Sequence, residues 1–124
     1  MTARPEPREI AISAAWHDGR IPARLRTTDG RAVDVIHRGQ WSHGLGPDFT
    51  DAMLVFDGRE VRNGAVEIHL RTRGWTEHGH HLDPQYNQVI LHVVARHDGA
   101  ETRRADGGLT PIVDLAAGGW TADE

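Results

Sequence analysis

The sequence predicts an α+β fold with a mixed central sheet flanked by helices. Residues 65–71 (AVEIHLR) alternate apolar and polar side chains, a pattern typical of a strand with one buried face. Residues 89–95 (VILHVVA) are almost continuously apolar, which favours a central strand buried on both faces. One short helix is predicted before the first strands, and a second helix is possible between these two strands. This combination of elements is typical of the α+β class.

The segments before residue 65 are bounded by turn residues. Residues 9–16 predict a short helix, because Ile12 and Trp16 lie four apart on one face. The Asp29-Gly30 pair between two short segments predicts a β-hairpin. In chain order we expect a flexible arm at 1–8, a helix at 9–16, hairpin arms at 23–28 and 31–37, a loop at 38–49 and a strand at 52–56.

The segment at 75–88 is ambiguous. Its large side chains recur at helical spacing, but Gly79 and Pro84 weaken any helix there. An all-β sandwich is the alternative fold if this segment is not helical. The remaining expected elements are a strand at 65–71, the central strand at 89–95, a loop at 96–110 and a final short strand at 111–115, within one domain at 9–118 that is followed by a tail at 119–124.

Composition excludes several classes of chemistry. The 124 residues include no Cys, which excludes disulfides, thiolate zinc ligands and cysteine nucleophiles. All 14 basic residues are Arg, so mechanisms that need a phosphate-loop or Schiff-base Lys are excluded as well. No segment approaches the roughly 18 apolar residues of a membrane span. Because the N-terminus also lacks a signal-peptide core, we expect a cytoplasmic protein without membrane contact.

Two carboxylates lie at the beginning of one predicted strand and inside the next. Asp48 follows Pro47 just before the first of these strands, and Glu67 shares one face of the second strand with His69. If the two strands are adjacent, Asp48 or Asp51 approaches Glu67 closely enough to hold a metal ion. Mg²⁺ or Mn²⁺ bound by few carboxylates keeps positions for water and phosphate, and activates the water for attack on a phosphodiester.

This pattern resembles the PD-(D/E)XK nuclease superfamily. The predicted order of elements is also similar to the core of that superfamily, which implies a restriction-endonuclease-like fold. Asp48 matches the first acid of the motif and Glu67 the second, while His69 stands where the motif has Lys. The resemblance therefore implies that these three residues are catalytic, with His69 positioning or deprotonating the attacking water.

Arginine side chains near these residues are candidate phosphate ligands. Arg71 and Arg73 follow the strand that carries Glu67, and Arg38 precedes the GPDF loop. We expect metal-dependent hydrolysis of phosphodiester bonds in DNA or RNA, by the chain alone, as a homodimer or in a larger complex. A nuclease-like fold without the motif Lys, which binds nucleic acid or a partner protein without turnover, is a second possibility.

A second resemblance extends over residues 25–94. The segments GPDF at 46–49, GAVEIH at 64–69, WTEHGHHLDPQY at 75–86 and VILHVV at 89–94 are similar to a bacterial family known only as a domain of unknown function. Members of that family are usually several times longer, and this chain resembles their N-terminal part. The resemblance implies that these acids and histidines are features that the family shares.

Nine histidines are many for a chain of this length, and His is the commonest metal ligand in proteins. His78, His80 and Asp83 lie close together in sequence, and with His69 they offer nitrogen and oxygen ligands for Zn²⁺. A His-ligated zinc protein is therefore an alternative to the nuclease. His92 lies on the buried central strand, where a hydrogen-bonded core residue is commoner than a ligand.

Overall fold

The structure is a computed structural model, which describes residues 8–121. Residues 1–7 of the predicted arm and 122–124 of the predicted tail lie outside the described residues. The elements, in chain order, are helix α1 (Glu9–His17), strands β1 (Arg24–Arg26), β2 (Ala32–His37), β3 (Gln40–Trp41), β4 (Phe49–Phe56) and β5 (Glu60–Arg71), helix α2 (Gly74–Glu77), two 3₁₀ turns (His80–Leu82 and Pro84–Gln88), and strands β6 (Val89–Arg96) and β7 (Ile112–Asp114).

The strands form one mixed, curled sheet. Its order is β1-β2-β4-β5-β6-β7, and β3 pairs with β4 outside this path. The strands from β1 to β5 pair antiparallel, whereas β5, β6 and β7 are parallel. The two ends of the sheet approach each other, because the Thr28 N–H donates to the Ile112 carbonyl at 2.8 Å. The predicted α+β class with a mixed sheet is confirmed.

The hairpin predicted around Asp29-Gly30 is present, with β1 antiparallel to β2. Strands β4 and β5 are longer than predicted, and β3 lies in a segment expected to be a loop. The Asp57-Gly58 turn joins β4 to β5, with positive φ at both residues, as tight hairpin turns require. A bulge between Phe49 and Ala52 lets the pairing with β5 continue back to the residue after Asp48.

The segment at 75–88, which the sequence left ambiguous, forms three short helical turns together with Gly74. α2 ends before Gly79, whose φ of 73° lies in the left-handed region that favours glycine. Pro84 begins the second 3₁₀ turn, and the Asp83 side chain accepts a hydrogen bond from the Gln85 backbone N–H at 2.9 Å. Gly79 and Pro84 thus interrupt the helical spacing, and the segment forms the crossover that parallel pairing of β5 and β6 requires.

Helix α1 packs on one face of the sheet and forms the main core with it. Ile12 and Trp16 are fully buried there, together with Val66 and Ile68 from β5. Every residue of β6 from its first to its sixth position is buried, as predicted for a central strand. A smaller apolar cluster consists of Ala65, Trp75, Tyr86 and Val89. Among residues 8–121, no helix is long and apolar enough to cross a membrane.

Candidate metal centre

Strand β5 places two ionisable side chains on the face of the sheet away from α1. Glu67 and His69 alternate with Val66 and Ile68 of the main core, because successive strand residues point to opposite faces. Their side chains are buried, with only 4% and 1% of Glu67 and His69 exposed. His92 lies beside Glu67 in the parallel register of β6 and is fully buried. This face of the sheet therefore buries ionisable side chains, whereas buried sheet faces usually carry apolar ones.

The crossover between β5 and β6 brings two further histidines to this face. His78 caps the end of α2 and His80 begins the first 3₁₀ turn, and the left-handed Gly79 lies between them. Gly74 lies so close to His69 that a β-carbon added there would be 2.9 Å from the imidazole ring. α2 can approach β5 this closely because residue 74 has no side chain.

Four side chains converge in this cluster. His69 Nε2 lies 3.2 Å from His78 Nδ1 and 3.4 Å from Glu67 Oε2. The same Glu67 oxygen lies 3.0 Å from His80 Nε2. One nitrogen from each of the three histidines lies within 4.8 Å of the other two. Tetrahedral zinc with bonds of about 2.0–2.1 Å holds its ligand atoms about 3.3 Å apart. The three contacts of 3.0, 3.2 and 3.4 Å are close to this spacing.

Asp48 lies next to this cluster, at the start of β4. Its backbone N–H donates to Glu67 Oε1 at 3.0 Å, and its Oδ2 accepts from the Ile68 N–H at 2.7 Å. The adjacency of Asp48 and Glu67 is the arrangement expected from the sequence if their strands pair. The hydrogen bonds hold both carboxylates at fixed positions on the sheet.

Burial controls the charge of the cluster. It raises the pKa of Glu67 to about 8, and burial together with the Glu67 charge raises the pKa of Asp48 to about 7. Burial lowers the pKa of His69 to about 2 and that of His92 to about 3, so both rings are neutral at pH 7. With its pKa raised to about 8, Glu67 is mostly protonated at pH 7 as long as no positive charge lies beside it. A divalent cation at the cluster would supply that charge and favour the ionised carboxylate.

Glu9, in the first turn of α1, is a further carboxylate at this site. It accepts a hydrogen bond from the Leu70 backbone N–H. Burial raises its pKa, as does the nearby charge of Asp48, while His78 and His80 act in the opposite direction. Sequence reasoning did not identify Glu9, because an acid in the first turn of a helix is ordinary stabilisation of the helix dipole.

A chain of hydrogen bonds leads from the cluster into the protein. His69 Nδ1 lies 2.7 Å from His92 Nε2, and His92 Nδ1 lies 2.7 Å from the Thr102 hydroxyl. All three side chains are almost completely buried. The expectation that His92 is a hydrogen-bonded core residue agrees with this geometry, but its partner is a site residue. Thr102 lies in a polar loop and carries no sequence signal of its own.

Aromatic side chains form one wall of the cluster. The Tyr86 ring stacks on His80, with ring centroids 3.8 Å apart and an interplanar angle of 12°. Trp75 contacts the edges of both rings and is fixed by a hydrogen bond from its Nε1 to the Arg103 carbonyl at 2.7 Å. These rings pack around the imidazoles and limit the movement of His80.

Two acids expected at the metal site lie apart from the converging atoms. Asp51 is exposed, at the bulge of β4, with a φ of 60°. Asp83 influences the charge of His80, but its carboxylate caps the second 3₁₀ turn. Within residues 8–121, the group that could hold a metal consists of His69, His78 and His80, with Glu67 within 3.4 Å of two of them.

The three arginines expected to bind phosphate have different surroundings. Arg38 donates to the carbonyls of Trp16 and Ile21 at 3.0 and 2.6 Å, and its guanidinium lies over the Trp16 ring. Arg73 is exposed and pairs with Glu77 at 3.3 Å. Arg71 lies at the end of β5, two residues beyond His69. Arg38 thus fastens α1 to the sheet, and Arg71 is the arginine that follows the cluster on its own strand.

One family matches this chain. Residues 9–118 match the family described as "Protein of unknown function (DUF2851)". No curated protein and no solved structure matches the chain. The match covers every residue of the cluster described above, from Glu9 to Thr102.

Proposed function

This chain belongs to the DUF2851 family, and we propose that it is a metal-dependent hydrolase that cleaves phosphodiester bonds in nucleic acid. The convergence of Glu67, His69, His78 and His80 beside Asp48 carries this proposal. A hydrolase of this kind needs an ion that polarises its substrate and a base next to it. The cluster offers candidate ligands for the ion, and Asp48 beside it is the candidate base.

The donor set favours one class of ion. Three imidazole nitrogens and a carboxylate oxygen suit Zn²⁺, and Mn²⁺ also accepts mixed nitrogen and oxygen ligands. Mg²⁺ prefers oxygen ligands in octahedral geometry. The cluster therefore favours Zn²⁺ or Mn²⁺, and Mg²⁺ would require Asp48 and Glu67 to act without the histidines.

The residues around the ion have distinct roles in the proposed reaction. A divalent ion held there would act as a Lewis acid and lower the pKa of a coordinated water. Asp48 lies outside the four-ligand set, and its carboxylate accepts the proton of the water whose oxygen attacks phosphorus. A new P–O bond forms, the bond to the leaving sugar oxygen breaks, and that oxygen takes a proton from solvent. His69 is a ligand in this scheme, and Arg71 contacts the phosphate.

The order of the elements supports a phosphodiester substrate. The chain order of α1, the antiparallel β2-β4-β5 unit, the crossover and the parallel β6 is similar to the order expected from the PD-(D/E)XK resemblance. Asp48 and Glu67 occupy the positions of the two acids in that pattern. Arg71 and Arg96 are partners in the register of β5 and β6, and Arg73 follows, so positive charge at this end of the sheet would attract a polyanion.

A cleavage assay with matched variants tests the proposal. Plasmid, single-stranded DNA and RNA are incubated with Zn²⁺, Mn²⁺, Mg²⁺ or EDTA. We expect metal-dependent cleavage by the wild type and by the control Asp51→Asn, whose acid is exposed. Glu67→Gln binds metal more weakly and loses cleavage, whereas Asp48→Asn retains metal and loses roughly 100-fold or more of the rate. Undiminished cleavage by Asp48→Asn contradicts its assignment as the base.

A non-catalytic zinc-binding domain is the second candidate, and the number of protein ligands favours it. Structural zinc sites use four protein ligands, whereas catalytic sites keep one position for water. Among the four side chains His78 is the exposed one, so it is the ligand that water can most readily replace. Stoichiometric zinc with binding of nucleic acid, but no cleavage under any condition above, supports this candidate.

A further inference from the structure

Three buried side chains connect the cluster to the loop between β6 and β7. His69 Nδ1 is 2.7 Å from His92 Nε2, and His92 Nδ1 is 2.7 Å from the Thr102 hydroxyl. Each of these side chains is at most 1% exposed. Water therefore does not replace any of these contacts, and each hydrogen bond needs a proton on one of its two atoms.

The two hydrogen bonds that join His69, His92 and Thr102 can run in only two directions when each ring carries one proton. If His69 carries its proton on Nδ1, it donates to His92, and His92 donates from its own Nδ1 to Thr102. If His69 carries its proton on Nε2, Thr102 donates to His92, and His92 donates to His69. In the second direction the Nε2 proton faces acceptors at 3.2 Å on His78 and 3.4 Å on Glu67.

Only the first direction leaves a lone pair on His69 Nε2, the atom that faces the other ligands. We propose that these hydrogen bonds run in the second direction without metal and in the first direction when a metal is bound. His92 and Thr102 are then positioning residues, because their hydrogen bonds hold His69 in the metal-ready tautomer once the ion is in place. The inference rests on the metal centre proposed above and is independent of cleavage. The His69 and His92 rings each carry one proton in both states. On metal binding this proton is lost from Nε2 and one is gained at Nδ1 by exchange.

Thr102 is suited to this role because a hydroxyl both donates and accepts. A backbone carbonyl in its place would accept only, and a backbone N–H would donate only. The loop that carries Thr102 is fixed on both sides of it. The Thr102 carbonyl accepts from the Thr110 N–H at 2.8 Å, and the Arg103 carbonyl accepts from Trp75 Nε1 at 2.7 Å.

Nitrogen-15 NMR of the histidine rings tests the reversal directly, because protonated and unprotonated ring nitrogens have different shifts. Spectra of the wild type are recorded after chelation and after addition of one equivalent of Zn²⁺. We expect the His92 proton on Nε2 in the chelated protein and on Nδ1 in the zinc-loaded protein. Zinc binding with His92 in the same tautomer in both states overturns the inference. A wild type that binds no zinc overturns the metal centre itself.

Zinc affinity of matched variants tests the positioning role. Thr102→Val removes the hydroxyl while keeping the shape of the side chain, and we expect zinc affinity to fall about 10- to 100-fold. Thr102→Ser restores the hydroxyl and returns affinity to within a few-fold of the wild type, by the same mechanism. Thr110→Val is the control, since its buried hydroxyl donates to the Val89 carbonyl and is not part of the His69–His92–Thr102 hydrogen bonds. Equal losses in Thr102→Val and Thr110→Val, or none in the first, overturn the role.

Discussion

Asp48 engages one oxygen of Glu67 and leaves the other to the histidines. The Asp48 N–H donates to Glu67 Oε1, whereas Glu67 Oε2 lies within 3.4 Å of ring nitrogens of both His69 and His80. One oxygen thus fixes the orientation of the carboxylate, and the other is aimed at the cluster. Such preorganisation reduces the cost of arranging ligands when an ion binds.

Glu67 and Asp83 are alternative oxygen ligands, and their amide variants distinguish them. Zinc at 100 times its dissociation constant should stabilise the wild type by about 2.7 kcal/mol, if only the folded state binds. Glu67→Gln weakens zinc binding and reduces this gain, because a neutral amide replaces the charged ligand. Asp83→Asn keeps the cap on the 3₁₀ turn and the full gain.

Thermal unfolding with and without zinc, after exhaustive chelation, measures these gains. The metal content of each variant is determined in parallel. If Asp83→Asn loses the zinc-dependent stabilisation and Glu67→Gln retains it, Asp83 is the oxygen ligand, as in the zinc site expected from the sequence, and Glu67 is not.

The stability of the metal-free protein should be greatest in mildly acidic solution. The pKa values of Asp48 and Glu67 are raised in the fold, so their contribution is present below about pH 4 and is lost as the pH rises toward 8. The pKa values of His69 and His92 are lowered, so their contribution is present above about pH 6.5 and is lost as the pH falls. The two trends oppose each other between about pH 4.5 and 6.5.

Melting temperatures of chelated protein from pH 4 to 9 test this dependence. Glu67→Gln cannot titrate at position 67, so its melting temperature should fall less steeply above pH 6.5 than that of the wild type. A wild-type maximum at pH 8 or above contradicts the charge states assigned to the cluster.

Gly74 is required for the approach of α2 to His69. In Gly74→Ala the new β-carbon would lie 2.9 Å from the imidazole ring, so the ring or the helix has to move. We expect destabilisation of about 1–3 kcal/mol, typical of an overpacked core. Zinc affinity should fall as well, since His69 is displaced from the other ligands. Gly118→Ala is the control, because its β-carbon would lie 3.7 Å from the Leu115 carbonyl oxygen.

Chemical denaturation and zinc titration of both glycine variants provide the measurement. Gly118→Ala should remain within about 0.5 kcal/mol of the wild type. Wild-type zinc affinity in Gly74→Ala would show that the close contact does not position His69.

Arg38 should stabilise the fold and contribute little to nucleic-acid binding. Its guanidinium donates to two carbonyls, of Trp16 and Ile21, and Arg38→Ala should lower the free energy of unfolding by about 2 kcal/mol. Arg24→Ala removes an arginine that is 84% exposed and pairs with Asp34, which should cost less than about 1 kcal/mol.

Denaturation and nucleic-acid binding of the folded arginine variants separate the two roles. If Arg38→Ala weakens nucleic-acid binding without any loss of stability, Arg38 binds phosphate as the sequence suggested. Arg71→Ala provides the comparison for a residue proposed to contact phosphate.

Local patterns predicted the strands and the faces of the sheet but not the complete site. The alternation in 65–71 placed Glu67 and His69 on one face because side chains along a strand alternate regardless of the rest of the fold. The approach of Glu9 and Thr102 depends on how α1 and a loop pack against β5 and β6. These contacts join residues far apart in sequence, and local spacing does not encode them.

The proposed ligands are close together in sequence, which affects when during folding an ion can bind. Its four ligands fall within fourteen consecutive residues, 67–80, so the loops that an ion must close are short. An unfolded chain can therefore chelate zinc before the sheet exists. Binding to the unfolded chain reduces the net stability that zinc gives the native state. An ion bound at this stage would draw together the end of β5 and the first part of the crossover before β6 pairs with β5.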